Sequence, residues 1–321
     1  MTNFQVYKKT LPFSLIMFLV GIASLLVMAG FMTAGYFVAE QMGHALVGLV
    51  IGFILGIIAI ILINIFINNR IKAAQIAMMT KGVTEDSLPE NTFKEGFNEI
   101  KGRFGKITAF FFITNAIKGV FRQLGKALTG AGRMVGGQAG ESVASMVDSA
   151  IQTLIGYLCD CCLGWILYRK DVNSMKAGCE GAVIFFKHGK TLLRNVGRIF
   201  GIGFLSFLLV GGAFTGIFYL IFNAFPDMFN GLSTTLYQLL ESGEGEVSPL
   251  MYDPQFLKLY VSIIFGIILW SSFHSVLVRP FILVGVLRNY MAAGRENMPT
   301  EADFAELDKK SPRFAKLHSN I

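Results

Sequence analysis

Charge is scarce in this chain. Only 15% of its 321 residues are Asp, Glu, Lys or Arg, whereas 53% are hydrophobic and Phe alone occurs 30 times. A soluble domain carries about 25% charged residues, so this balance excludes a charge-coated globule and reads as a membrane protein. Basic residues are missing altogether between Pro226 and Gln255, a stretch with five acidic ones. Catalytic signatures are missing too: there is no Walker loop, dinucleotide fingerprint, H-E-x-x-H or nucleophile elbow. The sequence "GKTLL" at Gly189 lacks the preceding glycine that a phosphate loop needs. These absences predict a protein that is not an enzyme and carries no cofactor; an enzyme acting on lipid headgroups is the weakest alternative. No cleaved leader is expected either, because Lys8 and Lys9 precede an apolar run too long for a signal core.

Long apolar runs are abundant. A hydrocarbon core about 30 Å thick takes roughly 20 residues of helix to cross. Runs at 11–39 and 46–67, joined by "EQMGH", predict a helical hairpin; 199–225 and 256–279 predict a second; 143–168 predicts a fifth span. Residues 107–128, beginning "ITAFFFITNAIKGVF", are short for a span and contain Lys118. Lys and Arg collect on the cytoplasmic side of membrane proteins. Seven basic residues lie between Arg169 and Arg198 and seven between Arg70 and Lys106, which places both segments inside. With both inside, 143–168 can cross only if 107–128 crosses as well. The expected fold is therefore all-α, a polytopic transmembrane bundle of about six spans over residues 1–290, with cytoplasmic termini, cytoplasmic helical loops at 69–106 and 169–198, and a cytoplasmic tail at 291–321. The rival reading lays 107–121 on the membrane surface as an amphipathic helix.

The net charge of +7 follows from that bias. It predicts membrane lipids as partners, with anionic headgroups drawn to the cytoplasmic face. Nucleic acid is not expected, since the basic residues lack the aromatic interleaving of a stacking surface. Plasma membrane is the expected location, or the inner membrane of a bacterium.

Polar residues inside apolar runs are the functional leads, because an ionisable group in a span is costly and usually faces a bundle interior or a water-filled path. Lys118, Asp148, Gln152, Asp160, His274 and Arg279 are the candidates for a polar path. Asp148 also fits an interfacial residue in water, Arg279 a snorkelling cation and His274 a packed core histidine. Glycines at four-residue spacing form two strips, Gly48, Gly52 and Gly56 in one and Gly132, Gly136 and Gly140 in the other, where helices can approach closely. They pack either one chain or several, so a homo-oligomer or a partner membrane protein is open.

Three of the four cysteines cluster in "LCDCCLGWILYRKD". In a reducing cytoplasm a structural disulfide is not expected, and Cys is by default a small buried apolar residue. A zinc set of Cys159, Cys162, Cys179 and His188 is the weak alternative, since its spacing is not a familiar one.

The segment "CCLGWILYRK" together with "LLRNVGRIFGIGFLSFLLVGG" resembles part of the choline transporter-like family. The likeness stops at residues 161–170 and 192–212, the family has more spans, and no functional residue is carried across. Two functions follow as expectations: a transport or permeation component with a polar path through the bundle, and a non-catalytic scaffold or assembly subunit that oligomerises through its glycine faces.

Overall fold

The computed structural model describes residues 1–104, 115–123, 138–193, 196–225, 229–231, 233–234, 237 and 253–319, with backbone alone at 45–46, 104, 138–152, 189–193 and 196–200. The described chain is helical, without strands. Its elements are α1 (Asn3–Glu40), α2 (Ala45–Ile63), α3 (Asn69–Thr84), α4 (Thr92–Phe104), α5 (115–123), α6 (Gln138–Tyr168), α7 (Ser174–Leu193), α8 (Val196–Ser206), α9 (Gly212–Asn223), α10 (Pro254–Phe273), α11 (Arg279–Glu296), α12 (Glu301–Lys310) and α13 (Pro312–His318). Single π-helical turns at Asn64–Asn68, Phe207–Gly211 and His274–Val278 join α2 to α3, α8 to α9 and α10 to α11.

Among the described residues four helices are long and apolar enough to cross a membrane: Asn3–Glu40, Val47–Thr84, Gly201–Asn223 and Pro254–Glu296. Three of them overrun the bilayer. The 38 residues of α1 extend roughly 57 Å at about 1.5 Å per residue, well beyond the hydrocarbon core. Its excess forms the start of a packed domain, in which Val6, Thr10, Phe13 and Ser14 are buried. A capping box between Thr2 and Gln5 starts the helix, satisfying amides that have no partner inside it.

The chain divides into two compact units, Met1–Val196 with Pro280–Ile321, and Gly197–Arg279. In the first unit, α1 and α2 form the expected hairpin. Gly43 makes its turn at a φ of +74°, where a side chain would be strained. The strip Gly48, Gly52 and Gly56 lies against α1 of the same chain. A Cβ at Gly52 would stand 2.8 Å from the Met32 Cα, and one at Gly48 would collide with the Gly35 carbonyl and Ala39. Only missing side chains allow this approach.

The rest of the first unit is a helical domain built around α3. This helix is buried on nearly every side, including Ala73, Ala74, Ile76, Ala77, Met78, Met79 and Gly82. Small residues let neighbours close in, and methionines fill irregular gaps. Gln75 ties it to α1 by donating to the Ser14 hydroxyl (2.7 Å) and the Thr10 carbonyl (3.2 Å). Phe13 of α1 and Phe93 of α4 pack with ring centroids 5.1 Å apart.

Four of the six expected spans coincide with these long apolar helices. In α6 the apolar stretch with described side chains is Thr153–Tyr168. Leu154, Tyr157, Leu158, Cys161, Cys162, Trp165 and Ile166 are buried, and Gly164 lies against Thr80 and Ile76 of α3 and Leu287 of α11. This described stretch packs against protein, a use of apolar residues that periodicity alone does not separate from burial in lipid. The expected third span falls largely outside the described residues. Its described part, α5, buries Ile117, Val120 and Phe121, with Phe121 edge-on to Phe185 of α7 at 5.0 Å. Within residues 291–319 the described side chains also pack. Phe304, Leu307, Phe314 and Leu317 of α12 and α13 are buried, and the predicted start at Thr300 is a capping box with Asp303.

In the second unit, α8, α9 and α10 pair through Gly266, which sits against Thr215 and the Gly211 carbonyl. Phe207 and Trp270 meet edge-on at 4.9 Å, and the Trp270 indole donates to Ser206 at 3.2 Å.

Candidate functional site

The α6 helix carries most of the chemistry. Its C-terminal carbonyls would be left without partners; Arg103 of α4 supplies them, donating from Nε to Ile166 (2.8 Å) and from Nη2 to Arg169 (2.7 Å). One turn back, the Trp165 indole donates to the buried Glu180 carboxylate of α7 at 3.0 Å, and Arg169 approaches the same carboxylate at 3.1 Å. Arg169 also forks onto Asp171 with two contacts of 2.8 Å, and this bond holds the Asp171 carboxyl below its ordinary range. Gly294 of α11 lies directly on the Trp165 ring. The cluster is closed and fully bonded, so it fastens α4, α6, α7 and α11 rather than offering a site.

Five residues before Trp165, the face of α6 opens. Asp160, 9% exposed in its side chain, meets Lys72 of α3 with Nζ to Oδ1 at 2.6 Å. The two residues line a pocket of about 280 Å³ together with Asn69 of α3, Asn115 and Lys118 of α5, and Cys159 of α6. Ile65, Ile117, Leu163 and Ile166 supply apolar wall. Burial, and then the neighbouring Asp160 charge, push the Cys159 thiol up to about 12, although Lys118, Lys72 and Arg122 pull it the other way. A thiol raised this far stays mostly protonated at neutral pH and is a weaker nucleophile than an ordinary cysteine.

The other cysteines are equally quiet. All four are free thiols. Cys161 and Cys162 are fully enclosed and raised well above the usual thiol range by burial, and Cys179 is raised to about 12 by burial with Asp308 and Glu180 adding to it. Among the described residues no three His, Cys, Asp or Glu side chains come together as a metal set, so the set Cys159, Cys162, Cys179 and His188 is not assembled. Cys162 instead packs against Gly181, and the Tyr290 hydroxyl donates to the Gly181 carbonyl at 2.5 Å.

Of the polar-path candidates, one pair is brought together within a unit. Lys118 and Asp160 share the pocket in the first unit. His274 and Arg279 belong to the second, where His274 rests beside Trp270 at 5.4 Å between ring centroids. Asp148 and Gln152 lie on the α6 backbone, with side chains outside the described residues. Gly132 and Gly136 also lie outside them, and Gly140 is helical. Lys72 is the member that sequence reasoning passed over, since it was counted with the basic flank of a span. Its signal was position: Lys72 stands within the small-residue run "IKAAQIAMM" of a helix that is buried nearly throughout.

No protein-family model, curated protein or solved structure matches this chain. The resemblance of residues 161–170 and 192–212 to the choline transporter-like family therefore gains no support from them.

Proposed function

We propose that this integral membrane protein is a non-catalytic assembly or scaffold subunit, in which two apolar hairpins hold a compact helical domain at the cytoplasmic face. One observation carries the reading: in each candidate span only 6% to 17% of the most apolar 18-residue window is buried against the chain itself. Helices that bury so little against their own chain leave long apolar walls for lipid or for other helices. Walls of this kind suit anchoring and helix–helix assembly better than a polar path.

Topology agrees with this reading. The positive-inside argument requires an even number of crossings between residues 69 and 169, and zero satisfies it as well as two. With α4 to α6 on one side, the basic segments 70–106 and 169–198, the N-terminus, α12 and α13 are cytoplasmic, and the acidic stretch 226–253 faces out.

Native mass spectrometry of the full chain released from lipid nanodiscs tests the proposal. A defined homo-oligomer, or a stoichiometric complex with another membrane protein isolated from the source membrane, is the expected result. A monomer alone under both conditions rejects the assembly role.

A further inference from the structure

The pocket beside Asp160 is polar, open, and placed at a boundary. It lies where the apolar α2 gives way, through the π-turn Asn64–Asn68, to α3, and both Ile65 of the turn and Asn69 of the first helical turn line it. Single π-turns in α-helices recur at functional sites. Among the described residues lining it, Lys72 and Lys118 bring two positive charges and Asp160 one negative, an excess of one positive charge. Asn69 and Asn115 add amide groups that donate hydrogen bonds. At about 280 Å³ it has room for a group larger than a water molecule.

We infer that this pocket binds a phosphate group, and that a membrane phospholipid supplies it through its phosphodiester. A phosphodiester carries a single negative charge, which matches the excess in the pocket. Lys is a point-charge partner for phosphate, and Lys118 is the exposed one of the two, at the mouth on α5. Lys72, held by Asp160 at 2.6 Å, is oriented from the opposite wall on α3. Ile65, Ile117 and Leu163 give apolar surface beside these cations, suited to the glycerol and first methylenes of a lipid rather than to a fully hydrated ion. The inference rests on the membrane placement proposed above and not on the assembly role.

The experiment uses the full chain in nanodiscs of phosphatidylglycerol mixed with phosphatidylcholine, followed by native mass spectrometry of retained lipid, with inorganic phosphate as a second probe. Lys118→Glu reverses the charge at the mouth and Asn115→Ala removes an amide; both positions are exposed, so a thermal melt near that of the wild type is expected. Lys187→Ala, whose cation pairs with Asp303 at 2.9 Å outside the pocket, serves as the control. The wild type and Lys187→Ala should retain phosphatidylglycerol, and Lys118→Glu should retain about tenfold less, the order of one lost charge-assisted hydrogen bond. Retention that inorganic phosphate does not displace identifies a lipid as the source. Displacement by phosphate, with a phosphate-dependent rise in melting temperature that Lys118→Glu lacks, identifies a soluble phosphate at the same site. Equal retention by the wild type and both pocket variants, or no response to either probe, overturns the inference. Copy number is read from the same spectra, so loss of phosphate binding and failure of the assembly role are distinguishable.

Discussion

Asp160 shows how a single residue changes meaning with its surroundings. In an apolar run it reads either as an ion carrier in a span or as the partner of a cation on another helix; in the fold it pairs with Lys72 of α3. Asp160→Asn should therefore lower stability. Breaking a buried pair costs about 3 to 5 kcal/mol; with Lys72 35% exposed to screening water the expected loss is about 1 to 2 kcal/mol, seen as a lower denaturation midpoint. An unchanged midpoint would mean that the pair contributes nothing. Glu180 is more deeply placed, at 4% exposure, and accepts from both Trp165 and Arg169. Glu180→Ala leaves the buried Trp165 indole without its acceptor and Arg169 with Asp171 alone, and should cost about 1 to 3 kcal/mol, with tryptophan fluorescence reporting the loosened Trp165.

Asp303 predicts a pH dependence. Backbone hydrogen bonding at Thr300 and then the Lys187 ammonium lower its carboxyl from 3.8 to about 2. Because the folded value is depressed, the stabilisation is present above the unfolded value and is lost as pH falls from about 4 towards about 2. Amide exchange in α12 should accelerate over that window in the wild type, and Asp303→Asn should exchange fast even at neutral pH. Equal exchange in the two proteins at pH 7 would discount the contact.

Among the elements, α2 and α3 form one helical run with two characters. The α2 half presents glycines to α1 and leaves most of its apolar side chains exposed, whereas the α3 half is the centre of a protein core. Gly52→Leu should force α1 and α2 apart, since even a Cβ would meet backbone atoms of Phe31 and Met32. Overpacking of this kind costs about 1 to 3 kcal/mol. A thermal melt in detergent checks it, and an unaltered melt would show that the hairpin separates without penalty. At this scale the glycine spacing was legible because four-residue steps stay near one helix face. The fate of α6 was not, because burial against protein and burial in lipid select the same apolar residues.

For the whole molecule, the decisive prediction is sidedness. A cysteine introduced at Ser242, in the acidic stretch, should react with a membrane-impermeant maleimide in intact cells, whereas one at Ser174, in the basic segment, should react only after permeabilisation. The four native thiols, raised far above neutral pH or enclosed by neighbours, give little background. Labelling of Ser174→Cys from outside would overturn the orientation.

The sequence by itself determined that the chain is helical and built for a membrane, where its two hairpins lie, and where the last segment begins at Thr300. These follow from local quantities: run length, scarcity of charge, a turn glycine and a capping box. Only the tertiary structure decided that α6 and the described part of α5 join a domain core, that the terminal segment docks, and that Lys72, Lys118 and Asp160 share one pocket. Those residues come from three helices far apart in the chain, and their meeting depends on which apolar faces find each other, a choice made by packing and not by composition.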